Sequence, residues 1–290
     1  MNGSFIAIDW GTTNRRCYRI EDGRVTHTER DELGILAVPL NGFQNEIARL
    51  RRRHGELPVL GVGMIGSKRG WQETPYVGVP ASLLDLARAA VWVEPRMTAL
   101  APGVSLLTAD GADVMRGEEV QFLGAVAAGL APPGSRLCQP GTHCKWASME
   151  GDRLVNFTTA MTGELYNLLR QHSLLAEVLV GAVACDSAFD AGVEEGARKT
   201  LLTSLFAARA AWLLNTRPAA DGASYVSGLL IGSDVHSQLQ AGSDEIYVLG
   251  ELELGKLYVK AIQVLGGRAH LVDSGSAFIA GVNRLWGCMT

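Results

Sequence analysis

The chain has 290 residues, of which 47% are hydrophobic and 19% charged, with a formal net charge of -4. That composition supplies a large core and excludes a disordered chain, and the acidic balance excludes a general nucleic-acid or anionic-membrane surface. Single cores stop growing at roughly 250–300 residues, so two domains are expected.

In chain order, the apolar run 5–8 reads as a buried strand ending at Asp9, and a Gly11-Thr12-Thr13 turn follows. Strands are expected at 16–20 and 24–28 around the turn 21–23, then a helix at 43–54 and a buried strand at 59–62. The polar loop 66–74 comes next, with helices at 83–90 and 114–129. Pro132-Pro133-Gly134 is the plainest linker signal.

The opening pattern then returns. A strand at 136–139 leads into Gly141-Thr142, a strand at 145–149, the turn Glu150-Gly151-Asp152 and a strand at 153–157. The shared order of strand, Gly-Thr turn, strand, acidic-glycine turn, Arg and strand reads as an internal duplication. The alternative is two unrelated hairpins that both use glycine turns. Helices are expected at 163–175, 194–215 and 277–285, and strands at 225–231, 246–249 and 269–271. This alternation argues for α/β sheets.

The five cysteines, Cys17, Cys138, Cys144, Cys185 and Cys288, are odd in number and form no CxxC pair. Neither a disulfide framework nor a zinc motif is expected, and a reducing, cytoplasmic compartment fits. The N-terminus reads as a strand running into a motif rather than a signal peptide. No apolar run approaches the ~18 residues of a membrane span.

A Gly-Thr turn after a buried strand offers backbone N–H groups and hydroxyls to a phosphate, and two such turns can hold a polyphosphate. Asp9 stands where a carboxylate can hold Mg²⁺ through water, because Mg²⁺ dehydrates reluctantly. The corresponding place in the second copy is Gln139-Pro140, with no acid. No P-loop, GxGxxG helix start, HExxH or GxSxG motif is present. Of six scattered histidines, His143 lies inside the second turn and the rest read mostly as surface or core. Asp113 is a candidate to orient or deprotonate an attacking hydroxyl, since it is expected at the start of the helix joining the halves. An N-cap role explains it equally well. The loop Gly66 to Thr74, with Ser67, Arg69 and Trp71, is rich in donors for hydroxyls and a carboxylate, or is an ordinary solvated loop.

The two hairpins resemble the acetate and sugar kinase/heat-shock/actin superfamily. More narrowly, the chain resembles the 2-dehydro-3-deoxygalactonokinase family. The residues that carry this are Ile8 to Asn14, Gly63 to Ser67, Gly70-Trp71 with Glu73 and Pro75-Tyr76, Asp113 to Glu119, Gly141-Thr142-His143 with Lys145-Trp146, Met161 to Glu164, and Ser227 to Gly232. Two positions depart from the family's pattern. Cys144 stands where Ser is expected, and Ala160 where a larger apolar residue is expected. The stretch 177–217 matches less clearly.

The resemblance implies ATP-dependent phosphorylation of the 6-hydroxyl of 2-dehydro-3-deoxy-D-galactonate in galactonate breakdown. It implies two ribonuclease-H-like (actin/hexokinase-like) α/β domains with mixed five-stranded sheets flanking a cleft. The first is expected over 1–112 plus the last helix, 276–290, and the second, nucleotide-binding domain over 113–275. Asp9 becomes the Mg²⁺-linked acid, Gly11, Thr12, Thr13, Gly141 and Thr142 the phosphate loops, and Asp113 the catalytic base. Lys145, Gly228 and Gly250 join the nucleotide set, the last ending the strand before the adenosine helix. Asn14, Ser67, Arg69 and Trp71 become substrate residues. The implied partners are ATP and a sugar acid, with no nucleic acid or membrane, and a homodimer is compatible. Rival readings are a kinase of another keto-deoxy acid or sugar, an ATPase without such an acceptor, and a sugar-acid sensor. Sensors of this superfamily usually carry an added DNA-binding domain, and the motif starting at residue 9 leaves no room for one upstream.

Overall fold

The apolar N-terminal run forms β1 (Phe5–Trp10), buried throughout except at half-buried Asp9. The turn after it returns the chain as β2 (Arg15–Glu21), and the turn at Asp22-Gly23 leads to β3 (Arg24–Asp31). Helix α1 (Phe43–His54) buries Phe43, Ile47 and Leu50 on one stripe, against Ile6, Ile8 and Trp10 of β1. It is followed by β4 (Val59–Gly63), β5 (Tyr76–Gly78), α2 (Leu83–Ala89), β6 (Val91–Glu94), β7 (Thr98–Leu100), β8 (Gly103–Leu107), β9 (Ala112–Met115) and α3 (Glu118–Ala127). This computed structural model describes residues 3–109, 111–239 and 245–290.

The chain divides into two units. The first comprises Met1–Gly134, Ser148–Phe157 and Ser274–Thr290. Its main sheet is six-stranded, not five-stranded as expected, in the order β3-β2-β1-β4-β7-β6, because β6 adds an antiparallel edge strand to β7. A separate sheet, β5-β8-β9, had no counterpart in the sequence reading, since its strands span three to five residues. The last helix, α9 (Ser274–Met289), packs on β1 and β2 through Phe5 stacked on Trp286, with centroids 4.9 Å apart, and Tyr18 against Phe278 at 5.5 Å. Each fully buried aromatic of this kind is worth about 1.5–3 kcal/mol. Helices α3 and α9 cross at two glycines. A Cβ on Gly281 would stand 2.1 Å from the carbonyl oxygen of Val120, and one on Gly124 2.1 Å from that of Ala277. This packing keeps α3 in the first unit, so the boundary falls at Gly134/Ser135 rather than at 112/113.

The second unit comprises Ser135–Ala147 and Thr158–Asp273. It contains β10 (Arg136–Gln139), then β11 (Cys144–Glu150) and β12 (Arg153–Ala160), whose far ends lie in the first unit. Helices α4 (Thr162–His172), α5 (Ser187–Arg198), α6 (Leu201–Leu213) and α7 (Gly222–Gln238) follow, then β13 (Glu245–Gly250), α8 (Leu252–Val264) and β14 (Arg268–Asp273). The sheet order β12-β11-β10-β13-β14 repeats β3-β2-β1-β4-β7, with β10 parallel to β13 as β1 is to β4.

Three expected elements change. The strand at 225–231 is part of α7, whose residues are buried all round, so a short window shows no helical stripe. The helix at 194–215 is two helices, broken around Lys199-Thr200. The helix at 114–129 begins only at Glu118, and Asp113-Val114 belongs to β9.

Candidate active site

In the first unit the parallel pairing of β1 and β4 sets Trp10 beside Gly63. Gly63 has φ 92°, and a Cβ there would stand 2.9 Å from the Trp10 carbonyl oxygen. Gly117, at φ 114°, packs in turn on the Gly63 Cα, which a Cβ would approach to 3.2 Å. Both positions demand glycine on conformation and on space. The contact brings the first turn of α3, with Glu118 and Glu119, to the end of β1.

The consequence is electrostatic. Burial pushes Asp9 up to about 6, opposed by Arg16 and reinforced by Glu118. Burial, with Glu118 beside it, pushes Glu119 up to about 8, opposed by backbone N–H donors and Arg116. The Glu119 Oε2 accepts the Gly117 N–H at 2.7 Å, while its Oε1 is buried without a hydrogen-bond partner. Glu118 Oε2 accepts the Arg116 N–H at 3.1 Å.

The turn after Asp9 is held from behind. Gly11 N–H donates to Asn14 O at 2.9 Å, Gly34 N–H to Thr13 O at 3.0 Å and Leu36 N–H to Thr12 O at 3.2 Å. Those bonds occupy the carbonyls and leave exposed Thr12 and Thr13 facing outward. Beyond the turn, fully buried Arg15 pairs with Asp31 at 2.6 Å and Glu46 at 3.4 Å, below the face of Trp10. Asn14 is exposed and donates to Thr13 Oγ1 at 3.2 Å.

The loop 66–74 is tightly folded rather than loosely solvated. Trp71 N–H donates to Ile65 O at 2.9 Å, and Ser67 Oγ donates to Met64 O at 2.7 Å. Buried Thr74 is gripped by Arg116, which donates to its hydroxyl and, at 3.0 Å, to its carbonyl. Trp71 is half-buried against the core of the first unit, so it offers only an edge. Arg69 is exposed at the loop's tip.

Asp113 does not start a helix. It sits half-buried in β9, opposite Leu106, with Oδ1 accepting the Val114 N–H at 2.7 Å. The N-cap of α3 is Gly117, so the cap role falls, and the acid that acts on Asp9 is Glu118. The sequence signal for this was Gly117 followed by two acids, a helix start with its first turn acidic.

In the second unit, Gly141-Thr142 makes the corresponding turn. Glu164 N–H donates to Thr142 O at 2.8 Å, and a Cβ on Gly163 would stand 2.2 Å from Gly141 O, so the start of α4 closes onto the turn. His143 Nε2 lies 2.5 Å from Glu164 Oε2. Buried Asp234 of α7 fixes this arrangement by accepting from Thr162 Oγ1 at 2.8 Å, Trp146 Nε1 at 2.9 Å and Tyr258 OH at 2.9 Å. Burial raises the Asp234 carboxyl, and these three donors oppose the rise. Cys144 is buried beside Cys138, Sγ to Sγ 3.6 Å, with burial holding its thiol well above the ordinary value. Lys145 is buried, its Nζ donating to Thr159 Oγ1 at 2.8 Å.

A cavity of about 290 Å³ opens beside this turn. Thr142 and Gly163 form its polar end, while Leu230, Ile231, Leu254 and Leu257 supply apolar walls. Gly250 ends β13 immediately before α8, which carries Leu254 and Leu257. Gly228 does not face the cavity as a ligand residue would. A Cβ on it would stand 2.3 Å from the Phe189 carbonyl oxygen, so it is the point where α7 meets α5. Its neighbour Ser227 lines the cavity instead. Sequence reasoning missed Glu118, Glu119, Ser227 and Asp234 as site residues.

Residues 9–285 match the family model described as 2-keto-3-deoxy-galactonokinase. The chain is 34% identical over 290 residues to the 2-dehydro-3-deoxygalactonokinase of Escherichia coli (strain K12), covering 98% of each. It is 35% identical over 296 residues to a Rhizobium meliloti (strain 1021) protein assigned the same activity, covering 97% of this chain and 96% of that one. A crystal structure from Sinorhizobium meliloti assigned to 2-dehydro-3-deoxygalactonokinase superposes with a TM-score of 0.90 at 31% identity, covering 97% of both chains. With such a match over nearly its whole length, the chain belongs to the 2-keto-3-deoxy-galactonokinase family.

Proposed function

We propose that the protein transfers the γ-phosphoryl group of ATP to the 6-hydroxyl of 2-dehydro-3-deoxy-D-galactonate in galactonate breakdown. The observations that carry this reading, in a chain of this family, are an acid, Asp9, just ahead of one Gly-Thr turn with Glu118 in its electrostatic neighbourhood, and an apolar cavity beside the other such turn. The cavity of about 290 Å³ suits a purine, with the phosphates running toward the N–H groups of Gly141-Thr142. Lys145 supplies a positive charge behind that turn.

Asp9, with Gly11, Thr12 and Thr13, serves the transferred phosphoryl group. Its hard oxygens suit Mg²⁺, which would neutralise charge on the phosphates. The fit rests on the acids themselves: burial and Glu118 keep Asp9 near 6, and a divalent cation favours its ionised form. Glu118, with one oxygen on the Arg116 N–H, has the other for the substrate hydroxyl, and takes the orienting role first given to Asp113. Its contribution is chiefly positioning, since phosphoryl transfer leaves the protein little covalent chemistry to do. Ser67 and Arg69 are assigned to the hydroxyls and carboxylate of the acid, with Trp71 and Asn14 as flanking contacts.

A coupled ATP assay tests the reading. Turnover is expected with the galactonate-derived keto acid and much less with its gluconate-derived epimer or neutral hexoses. Equal turnover across that panel, or ATP hydrolysis independent of any acceptor, overturns it.

A further inference from the structure

We propose that His27, Glu29 and His54 form a binding site for a first-row transition-metal dication, separate from the phosphate turns. His27 and Glu29 lie two apart on β3, hence on one face of this edge strand, and His54 is the last residue of α1. Their ligand atoms all lie within 4.8 Å of one another. His54 Nε2 is 2.9 Å from Glu29 Oε2, and the two imidazole centroids are 4.9 Å apart. Zinc holds nitrogen and oxygen ligands at about 2.0–2.2 Å, which places tetrahedral ligands roughly 3.3 Å apart. His27 is exposed, so its ring has room to turn toward the pair, while His54 is buried.

The surroundings support the assignment. The three residues line a cavity of about 360 Å³ with Arg19, Glu21, Thr26 and Arg53, room for the ion and its waters. Arg53 donates to the other Glu29 oxygen at 2.8 Å and orients the carboxylate, as outer-shell partners of metal ligands do. Arg19 is paired with Glu21 at 2.5 Å, so the two guanidinium groups are matched by two carboxylates. The negative end of the α1 dipole also favours a cation at His54. Two imidazoles and one carboxylate select zinc, cobalt, nickel or copper over magnesium, so this site and the nucleotide's Mg²⁺ do not compete. Bound metal would tie the end of α1 to the sheet edge.

The test is cobalt titration of untagged protein, followed by visible absorption and equilibrium dialysis, with zinc as competitor. One Co²⁺ per chain is expected, with visible d–d bands that zinc abolishes, and zinc should raise the Tm. His27→Ala and Glu29→Gln should each weaken Co²⁺ binding at least about tenfold, the lower range for losing even an outer-shell partner. His27 is exposed, so its alanine variant should match the wild-type Tm without metal. No bound Co²⁺, or bands and affinity unchanged in His27→Ala, would overturn the proposal and leave His54–Glu29 as a purely structural tie.

Discussion

Glu118, in the first turn of α3, helps raise the pKa of Asp9 at the end of β1, although the two stand far apart in the sequence. The glycine contact between Gly63 and Gly117 is what brings them together. Two acids held in one electrostatic neighbourhood suit a reaction that must hold a divalent cation and steer a hydroxyl.

The first test separates Glu118 from Asp113. Glu118→Gln is expected to lower kcat by ~10²–10⁴-fold, the usual weight of a positioned acid–base group, with the KM for ATP little changed. Asp113→Asn, in β9, should keep kcat within a few fold. Steady-state kinetics of both variants decide it, and the opposite pattern would return the role to Asp113.

The carboxylates also set a pH dependence of stability. The folded state holds the Glu119 proton up to about pH 8, whereas the unfolded chain releases it near the ordinary glutamate value of 4.5. Between those values the folded state binds more protons, so this contribution is full below the lower value and is lost as pH rises through about 8. Tm should therefore fall from pH 5 to pH 8 more steeply in the wild type than in Glu119→Gln. Parallel profiles would contradict the buried, protonated state.

Much of this site was legible in the sequence. Both Gly-Thr turns, the bounds of α1 and the acid at the end of β1 follow from apolar runs punctuated by turn residues. What escaped was decided by packing. Residues 225–231 read as a strand because α7 is buried on every side, where no polar face marks the helical period, and its close packing on α5 through Gly228 and Gly232 is set in three dimensions. Gly117, which moves the start of α3 to Glu118, adopts a left-handed φ that sequence pattern does not report. The expectation that Asp113 starts that helix failed for that reason.

Gly228 offers a direct check of packing against ligand binding. Gly228→Ala would drive a methyl group against the Phe189 carbonyl, and overpacking of this kind costs about 1–3 kcal/mol. A lowered Tm is expected, with the KM for ATP unchanged below the transition. A stable variant with impaired ATP binding would restore Gly228 to the nucleotide site.

Arg69 is an exposed cation on a protein of net charge -4, and the proposed substrate is an anion. Arg69→Ala is expected to raise the KM for the keto acid ~10-fold, the equivalent of about 1.5 kcal/mol for a lost charged hydrogen bond, and to leave that for ATP nearly unchanged. Equal rises in both would remove it from the acid's binding site.

The most direct measurement is the position of the phosphate in the product. Protein, ATP, Mg²⁺ and 2-dehydro-3-deoxy-D-galactonate should yield one phosphorylated acid, with phosphorus–proton coupling at the C6 methylene in the NMR spectrum. Phosphate on another carbon, or ADP and inorganic phosphate with unmodified acid, would contradict the account.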